Sequence, residues 1–168
     1  MKHPLSAVIL VILSLLALFG LRYTQELLQN KKESKTINKD VNNMKLSIVI
    51  PAYNEENRIE RTLRAYHEYF AAKQMPFELV VVLNGCKDNT IGVVERVRKD
   101  LATNSIIIID LPQAGKGLAI KAGFADALTR DNDLIGFVDA DMATKPEAYD
   151  DLIMNIGCLL YTSDAADE

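Results

Sequence analysis

Cysteine is scarce in this 168-residue chain, which has only Cys86 and Cys158. The second falls in residues 158–168, CLLYTSDAADE, a run that resembles the translation of a transposase-type sequencing adapter. It also interrupts a helical pattern still running at Ile153 and Ile156. Residues 158–168 are therefore read as a non-native tail, with the natural chain expected to continue differently after Gly157. Cys86 is then alone, which excludes an internal disulfide and favours a reducing compartment. No histidine lies near it in sequence to activate it, so it reads as a small packing residue rather than a nucleophile. An excess of one charge is also missing. The formal net charge is −4, and it becomes −1 once Asp164, Asp167 and Glu168 leave with the tail. That balance makes no case for a nucleic-acid partner. Internal repeats and collagen-like or prion-like tracts are absent too, which excludes repeat and fibrous architectures.

Charge is absent altogether from residues 4–21, where most positions are Leu, Ile, Val, Ala or Phe. As a helix this stretch would be about 27 Å long, close to the ~30 Å hydrocarbon core of a bilayer. A cleaved signal peptide has a shorter apolar region of ~7–15 residues and a small-x-small cleavage site. Leu18-Phe19-Gly20-Leu21 offers no such site, so residues 1–22 read as one uncleaved transmembrane anchor. Arg22, Lys31, Lys32, Lys35 and Lys39 follow the span, against Lys2 before it. The positive-inside bias then places the rest of the chain in the cytosol. The expected location is the endoplasmic reticulum membrane of a eukaryote or the cytoplasmic membrane of a bacterium. Residues 23–43 form a polar linker, rich in Lys, Asn, Gln, Glu and Ser.

From residue 44 to 157 strand and helix patterns alternate. Residues 46–50 read as a strand stopped by Pro51. Ile59, Leu63, Tyr66 and Phe70 then mark one face of a helix. Residues 77–83 form a second strand, and Thr90 caps a helix with Val93, Val94, Val97 and Leu101 inward. Residues 106–109 form a third strand, followed by a helix over 117–128 with Ile120, Phe124 and Leu128 inward. Residues 134–138 read as a buried fourth strand. Thr144-Lys145-Pro146-Glu147 is a capping box opening a helix through Tyr149, Leu152 and Ile153. The fold class is α/β, a parallel sheet with helices on both faces.

Chemistry-bearing residues gather in loops after strand ends, where open α/β sheets bind ligands. Asp139-Ala140-Asp141 sets two carboxylates one residue apart after the fourth strand. Their hard oxygens suit Mg²⁺ or Mn²⁺ holding a diphosphate, although such loops are also Asp-rich for turns and caps. After the first strand, Tyr53 offers a ring face for a base, while Asn54 or Glu55 caps a helix or bonds a ligand. Asn84-Gly85 after the second is an ordinary turn signal. Gly115-Lys116-Gly117 lets the backbone approach an anion beside an ammonium. It is neither a Walker A loop nor a dinucleotide fingerprint.

In order and spacing, residues 48–56 (IVIPAYNEE), Gly115-Lys116-Gly117 and Phe137-Val138-Asp139-Ala140-Asp141 resemble the family 2 glycosyltransferases of GT-A, Rossmann-like fold. The Gly-Lys-Gly loop and Asp139 to Thr144 most resemble the dolichyl-phosphate β-glucosyltransferases and other polyprenyl-phosphate enzymes. With the anchor and linker read above, the resemblance implies that residues 44–157 are the N-terminal, nucleotide-sugar-binding portion of a truncated enzyme, itself inactive as a fragment. It implies a nucleotide-sugar donor such as UDP-glucose, a polyprenyl-phosphate acceptor in the membrane, and Mg²⁺ or Mn²⁺. Pro51, Ala52, Tyr53, Glu55, Asn84, Lys116 and Asp139 would bind the donor, and Asp139 and Asp141 the metal. No catalytic base is named, because a phosphate acceptor needs none or the base lies beyond Gly157. Two departures stand out. Leu83-Asn84 replaces the paired aspartates of many members, leaving the Asn84 amide oxygen as acceptor for the base. Ala143 replaces the metal-contacting Gln of polyprenyl-phosphate mannosyl enzymes. The alternatives are a saccharide acceptor or a non-catalytic nucleotide-sugar-binding membrane protein. A phosphatase of the haloacid-dehalogenase type is disfavoured by Ala143 and by the fourth-strand position of the motif.

Overall fold

The computed structural model describes residues 22–29, 31 and 43–164, and side chains as far as residue 156. The expected span at residues 4–21 lies outside the described residues. No helix among the described residues is long and apolar enough to cross a membrane. The chain divides into two units, Met1–Lys39 and Asp40–Glu168. In the first, residues 22–29 are helical, with every described side chain exposed.

The second unit has strands β1 (Leu46–Ala52), β2 (Phe77–Asn84), β3 (Ile106–Leu111) and β4 (Leu134–Phe137). They alternate with helices α1 (Ile59–Ala72), α2 (Thr90–Asp100), α3 (Lys116–Ala127) and α4 (Pro146–Asp164). The sheet is parallel throughout and ordered β3-β2-β1-β4. The chain steps outward from β1 to β3, then returns across β1 to lay down β4. This reversal leaves a crevice between the carboxyl ends of β1 and β4, the topological switch point of an open α/β sheet.

β1 and β2 hold the centre, and all seven residues of β1 are buried. Pro51 does not end the strand as read from sequence. Pro51 and Ala52 still pair with Val82 and Leu83. Val138 N donates to Val49 O (3.0 Å), so the odd-numbered residues of β1 turn their backbone groups toward β4. The missing donor of Pro51 falls on that side, beyond the last β4 pair, Val49 with Phe137, and no ladder bond is lost. β4 is not the fully buried strand expected. It lies at the sheet edge, half-buried, with Phe137 46% exposed.

Helices cover both faces. α3 packs on the side of Val49, Val80 and Val82, where its Ala119 joins their cluster. The expected stripe of Ile120, Phe124 and Leu128 is rotated. Ala119, Gly123 and Ala127 are buried, Ile120 and Phe124 are half-buried, and Leu128 is exposed. Small residues let the helix lie close on the sheet, and a Cβ at Gly123 would collide with Val49 Cγ1. α4 lies on the opposite face, where a Cβ at Gly136 would collide with the Tyr149 hydroxyl. α1 packs against β2, α2 and α4. Its inner residues are as read, Ile59, Leu63, Tyr66 and Phe70, with Thr62 among them.

Three further readings change. Thr90 is the first residue of α2 rather than its cap, and Asp88 Oδ1 accepts the Thr90 amide (3.1 Å). α4 begins at Pro146, the position best suited to a residue without an N–H, so Lys145 rather than Thr144 flanks it. Leu152 is exposed, whereas Tyr149, Ile153 and Asp150 are buried. Asp150 tolerates burial because Lys73 Nζ (2.6 Å) and Tyr69 Oη (2.8 Å) donate to it. The helical backbone also runs on across residue 158, where the apolar pattern breaks off.

Crowding at Gly123 gives a stability test. Gly→Ala inside a helix gains about 1 kcal/mol in propensity, while overpacking costs about 1–3 kcal/mol. Gly123→Val forfeits most of that gain and adds two methyls against Val49 and Val82. It should lower the urea midpoint by the equivalent of about 2–3 kcal/mol. Gly117→Ala, where a Cβ meets nothing within 4 Å, should be neutral or mildly stabilising. Equal effects at the two glycines would refute the close α3–sheet contact.

Candidate functional site

The carboxyl ends of β1, β2 and β4 and the start of α3 surround a cavity of about 610 Å³. Its walls are Pro51, Tyr53 and Glu55 after β1, Asn84 at the end of β2, Ala114, Gly115 and Lys116 before and at the start of α3, and Asp139, Ala140 and Asp141 after β4. Of the residues assigned from sequence, only Ala52 is absent from this wall. It is fully buried, and its carbonyl accepts from Asn84 Nδ2 (3.0 Å) and Cys86 Sγ (3.3 Å). Ala52 therefore holds the second loop in place, with Cys86 half-buried beside it.

Asn84 joins three loops. Besides donating to Ala52 O, its Oδ1 accepts the Gly115 amide (3.2 Å). The amide oxygen expected to receive a base N–H is thus already one bond committed to the Gly-Lys-Gly loop. Next to it Gly85 has φ +69°, and a Cβ there would stand 2.8 Å from Ala114 N. The loop after β2 and the loop before α3 touch backbone to backbone, which only glycine permits here.

The loops after β1 and β2 clasp each other. Thr90 Oγ1 accepts the Glu55 amide (2.8 Å) and donates to Asp88 Oδ1 (2.5 Å). Asp88 Oδ2 accepts the Glu56 amide (3.2 Å), and Glu56 Oε2 accepts the Asn89 amide (2.9 Å). Asn54, at φ +55°, accepts the Lys87 amide (2.8 Å) and so ties the loops rather than capping α1. Burial alone would raise the Asp88 carboxyl, but bonds from the Thr90 side chain and the Glu56 and Thr90 amides outweigh it and hold it below the usual carboxylate range. Glu55 supplies its backbone carbonyl to the start of α1. Its Oε1 accepts from Arg58 Nη2 (2.8 Å). Its Oε2 is buried without a hydrogen bond, though 2.7 Å from Arg58 Nε. That geometry leaves acceptor capacity at the cavity wall.

The Asp139–Asp141 segment is held through its backbone. Thr62 Oγ1 donates to Ala140 O (2.7 Å), Arg61 Nη2 to Asp141 O (3.1 Å) and Tyr66 Oη to Thr144 O (3.0 Å). Burial pushes the Tyr66 phenol well above its usual range, so it stays a donor. The Ala143 amide caps Asp141 Oδ1 (2.9 Å) over a left-handed Met142 (φ +67°). Arg61 and Thr62 were missed in the sequence reading. The available signal was a hydroxyl three residues after Ile59, on the buried stripe of α1.

Lys116 Nζ meets Asp139 Oδ1 at 2.5 Å across the cavity, with both side chains about half exposed. No group of three His, Cys, Asp or Glu gathers as a metal cage among the described residues. Two hard carboxylates at the cavity edge nonetheless fit Mg²⁺ or Mn²⁺ of the kind that takes one or two protein oxygens plus substrate phosphates. They fit a metal brought with a diphosphate better than a metal alone.

Residues 47–157 match the profile of Glycosyl transferase family 2. The dolichyl-phosphate beta-glucosyltransferase ALG5A of Trichomonas vaginalis is 35% identical over 127 residues, 72% of this chain and 38% of that protein. The undecaprenyl-phosphate 4-deoxy-4-formamido-L-arabinose transferase of Proteus mirabilis is 34% identical over 103 residues, 61% of this chain and 31% of that protein. The chain thus spans about a third of the length of these relatives. Among solved structures, the mannosyltransferase PcManGT of Pyrobaculum calidifontis, in complex with GDP-Man and Mn²⁺, aligns at TM-score 0.57 and 23% identity. The match covers 84% of this chain and 42% of that one, a likeness of fold.

The Thr62 bond can be tested by stability. Thr62→Val keeps the shape and leaves the buried Ala140 carbonyl unpaired, which should cost about 1–3 kcal/mol in urea unfolding. Thr62→Ser keeps the hydroxyl and should retain most of the wild-type stability. Unchanged stability in the valine variant would remove Thr62 from the support of the Asp139–Asp141 segment.

Proposed function

The chain belongs to glycosyl transferase family 2, and from that premise we propose that it is the donor-binding part of a membrane-anchored enzyme. The enzyme moves a sugar, glucose in the first instance, from a UDP-sugar to a polyprenyl or dolichyl phosphate with inversion. The observation that carries this reading is the convergence of Tyr53, Asn84, Lys116, Asp139 and Asp141 on one cavity at the switch point of the sheet. Tyr53, 47% exposed, offers a face on which a uracil can stack. Asp139 and Asp141 would then face the ribose and the metal-bound diphosphate. When bound, a divalent cation supplies Lewis-acid charge to the leaving diphosphate. Lys116 adds an ammonium at the same end.

The relatives that act on dolichyl and undecaprenyl phosphates support a lipid phosphate acceptor. So does the chemistry. A phosphate monoester has a second pKa near ~6 and is mostly dianionic at neutral pH, so it attacks without losing a proton. A sugar hydroxyl would need a carboxylate general base within hydrogen-bond reach. The apolar residues 4–21 are proposed as a single span with this domain on the cytosolic side.

Asp141→Asn in the full-length enzyme should lower transfer by about 10²-fold or more and weaken Mn²⁺-dependent UDP binding. Wild-type rates in that variant would remove Asp141 from metal handling. Labelled UDP-glucose offered with polyprenyl phosphate or with oligosaccharides should label the lipid. Label found only in oligosaccharide would overturn the lipid acceptor and leave glycosyl transfer standing. The intact chain should stay with membranes in alkaline carbonate, with the domain open to protease from the cytosolic side. Release into the supernatant would overturn the anchor.

A further inference from the structure

Lys116 and Asp139 form an ion pair inside the donor cavity, Nζ to Oδ1 at 2.5 Å, and each also lines that cavity. Of the three carboxylates on the cavity wall Glu55 is paired with Arg58, which leaves Asp139 and Asp141, and no group of three Asp, Glu, His or Cys gathers as a cage among the described residues. A protonated lysine and a divalent cation compete for the same carboxylate oxygen. Asp141 is differently placed, since its Oδ1 already accepts the Ala143 amide and no lysine or arginine among the described residues forms an ion pair with its carboxylate. The pairing lysine is the first residue of α3, after a glycine at φ +155°. Its long side chain is 57% exposed, free to swing between a carboxylate and an anion held at the helix start.

We propose that Lys116 is a placeholder for the divalent cation. Without nucleotide it neutralises Asp139 and keeps the metal site weak. When a diphosphate enters, Lys116 transfers to a phosphate oxygen, and Asp139 becomes available to the cation that the diphosphate brings. Metal and donor are thereby coupled through one side chain, and the coupling is reciprocal. The exchange rests on the nucleotide-sugar reading of the cavity and adds to it an order of events, with metal bound together with the donor rather than before it.

The test is Mn²⁺ binding by the intact chain, read from the free-ion electron paramagnetic resonance signal with and without UDP. Lys116→Gln should raise Mn²⁺ affinity without UDP by about two- to fivefold, the scale of a half-exposed ion pair. It should also shrink the enhancement that UDP confers. Lys116→Arg keeps the charge and should behave as wild type without UDP. Lys121→Gln, an exposed lysine on the same helix, reports the effect of net charge alone and should change Mn²⁺ affinity by less. An equal rise in Lys121→Gln, or no rise in Lys116→Gln while UDP still enhances Mn²⁺ binding, would overturn the placeholder alone. Absence of any UDP binding, with or without Mn²⁺, would overturn the donor reading and the exchange with it.

Discussion

The parallel ladder between β1 and β2 is the constraint on which the site depends. Seven consecutive pairs, from Leu46 with Phe77 to Ala52 with Leu83, bring the two carboxyl ends level, with all seven β1 residues buried. A slip of one residue would turn every β1 side chain to the other face. It would also remove Ala52 O from the reach of Asn84, and Asn84 from the Gly115 amide. Three loops distant in sequence meet at one cavity because this register holds. The site is a consequence of backbone pairing before it is a set of functional side chains.

The same logic explains what could be read in advance. Period and composition report burial, and β1, β2 and the face of α1 are the most buried elements, so their residues were legible. The cavity residues were legible because they stand at strand ends, where polar residues with no part in the core break an apolar run. Edges were harder. β4 has the composition of a central strand, and only the topology shows that Phe137 lies half in solvent. α3 misled because its apolar residues are large and its contact residues small. Ala119, Gly123 and Ala127 carry little hydrophobic signal, yet only they allow the close approach to Val49.

Least legible were polar residues that act at a distance in sequence. Thr62 contacts residue 140, Tyr66 contacts 144, and Asp88 and Thr90 reach back to Glu55 and Glu56. Nothing local in these segments distinguishes a hydroxyl that holds another loop from one that faces water. Thr90 meets a local expectation, a helix cap, which conceals the wider clasp. Sequence assigns the Thr90 hydroxyl to its own helix, whereas Asp88 serves the helix and Thr90 serves the loop after β1.

These contacts divide the work between backbone and side chains. α1 holds the Asp139–Thr144 segment by its carbonyls, through Thr62, Arg61 and Tyr66, and takes none of its carboxylates. The loops after β1 and β2 are likewise fixed mainly by amides on Asp88, Glu56 and Asn54. Asp141 spends one oxygen on the Ala143 amide, but had the Asp139 carboxylate been used to brace the loop, a ligand could claim it only by loosening the fold. Anchoring through main-chain oxygens avoids that conflict, because carbonyls are bonded whether or not a ligand is present. Asp139 is free to change partners, and the partner it has is a flexible, half-exposed lysine on a neighbouring element. A rigid backbone carrying exchangeable charges is what a site needs if it is to hold a polyanion firmly and then release it.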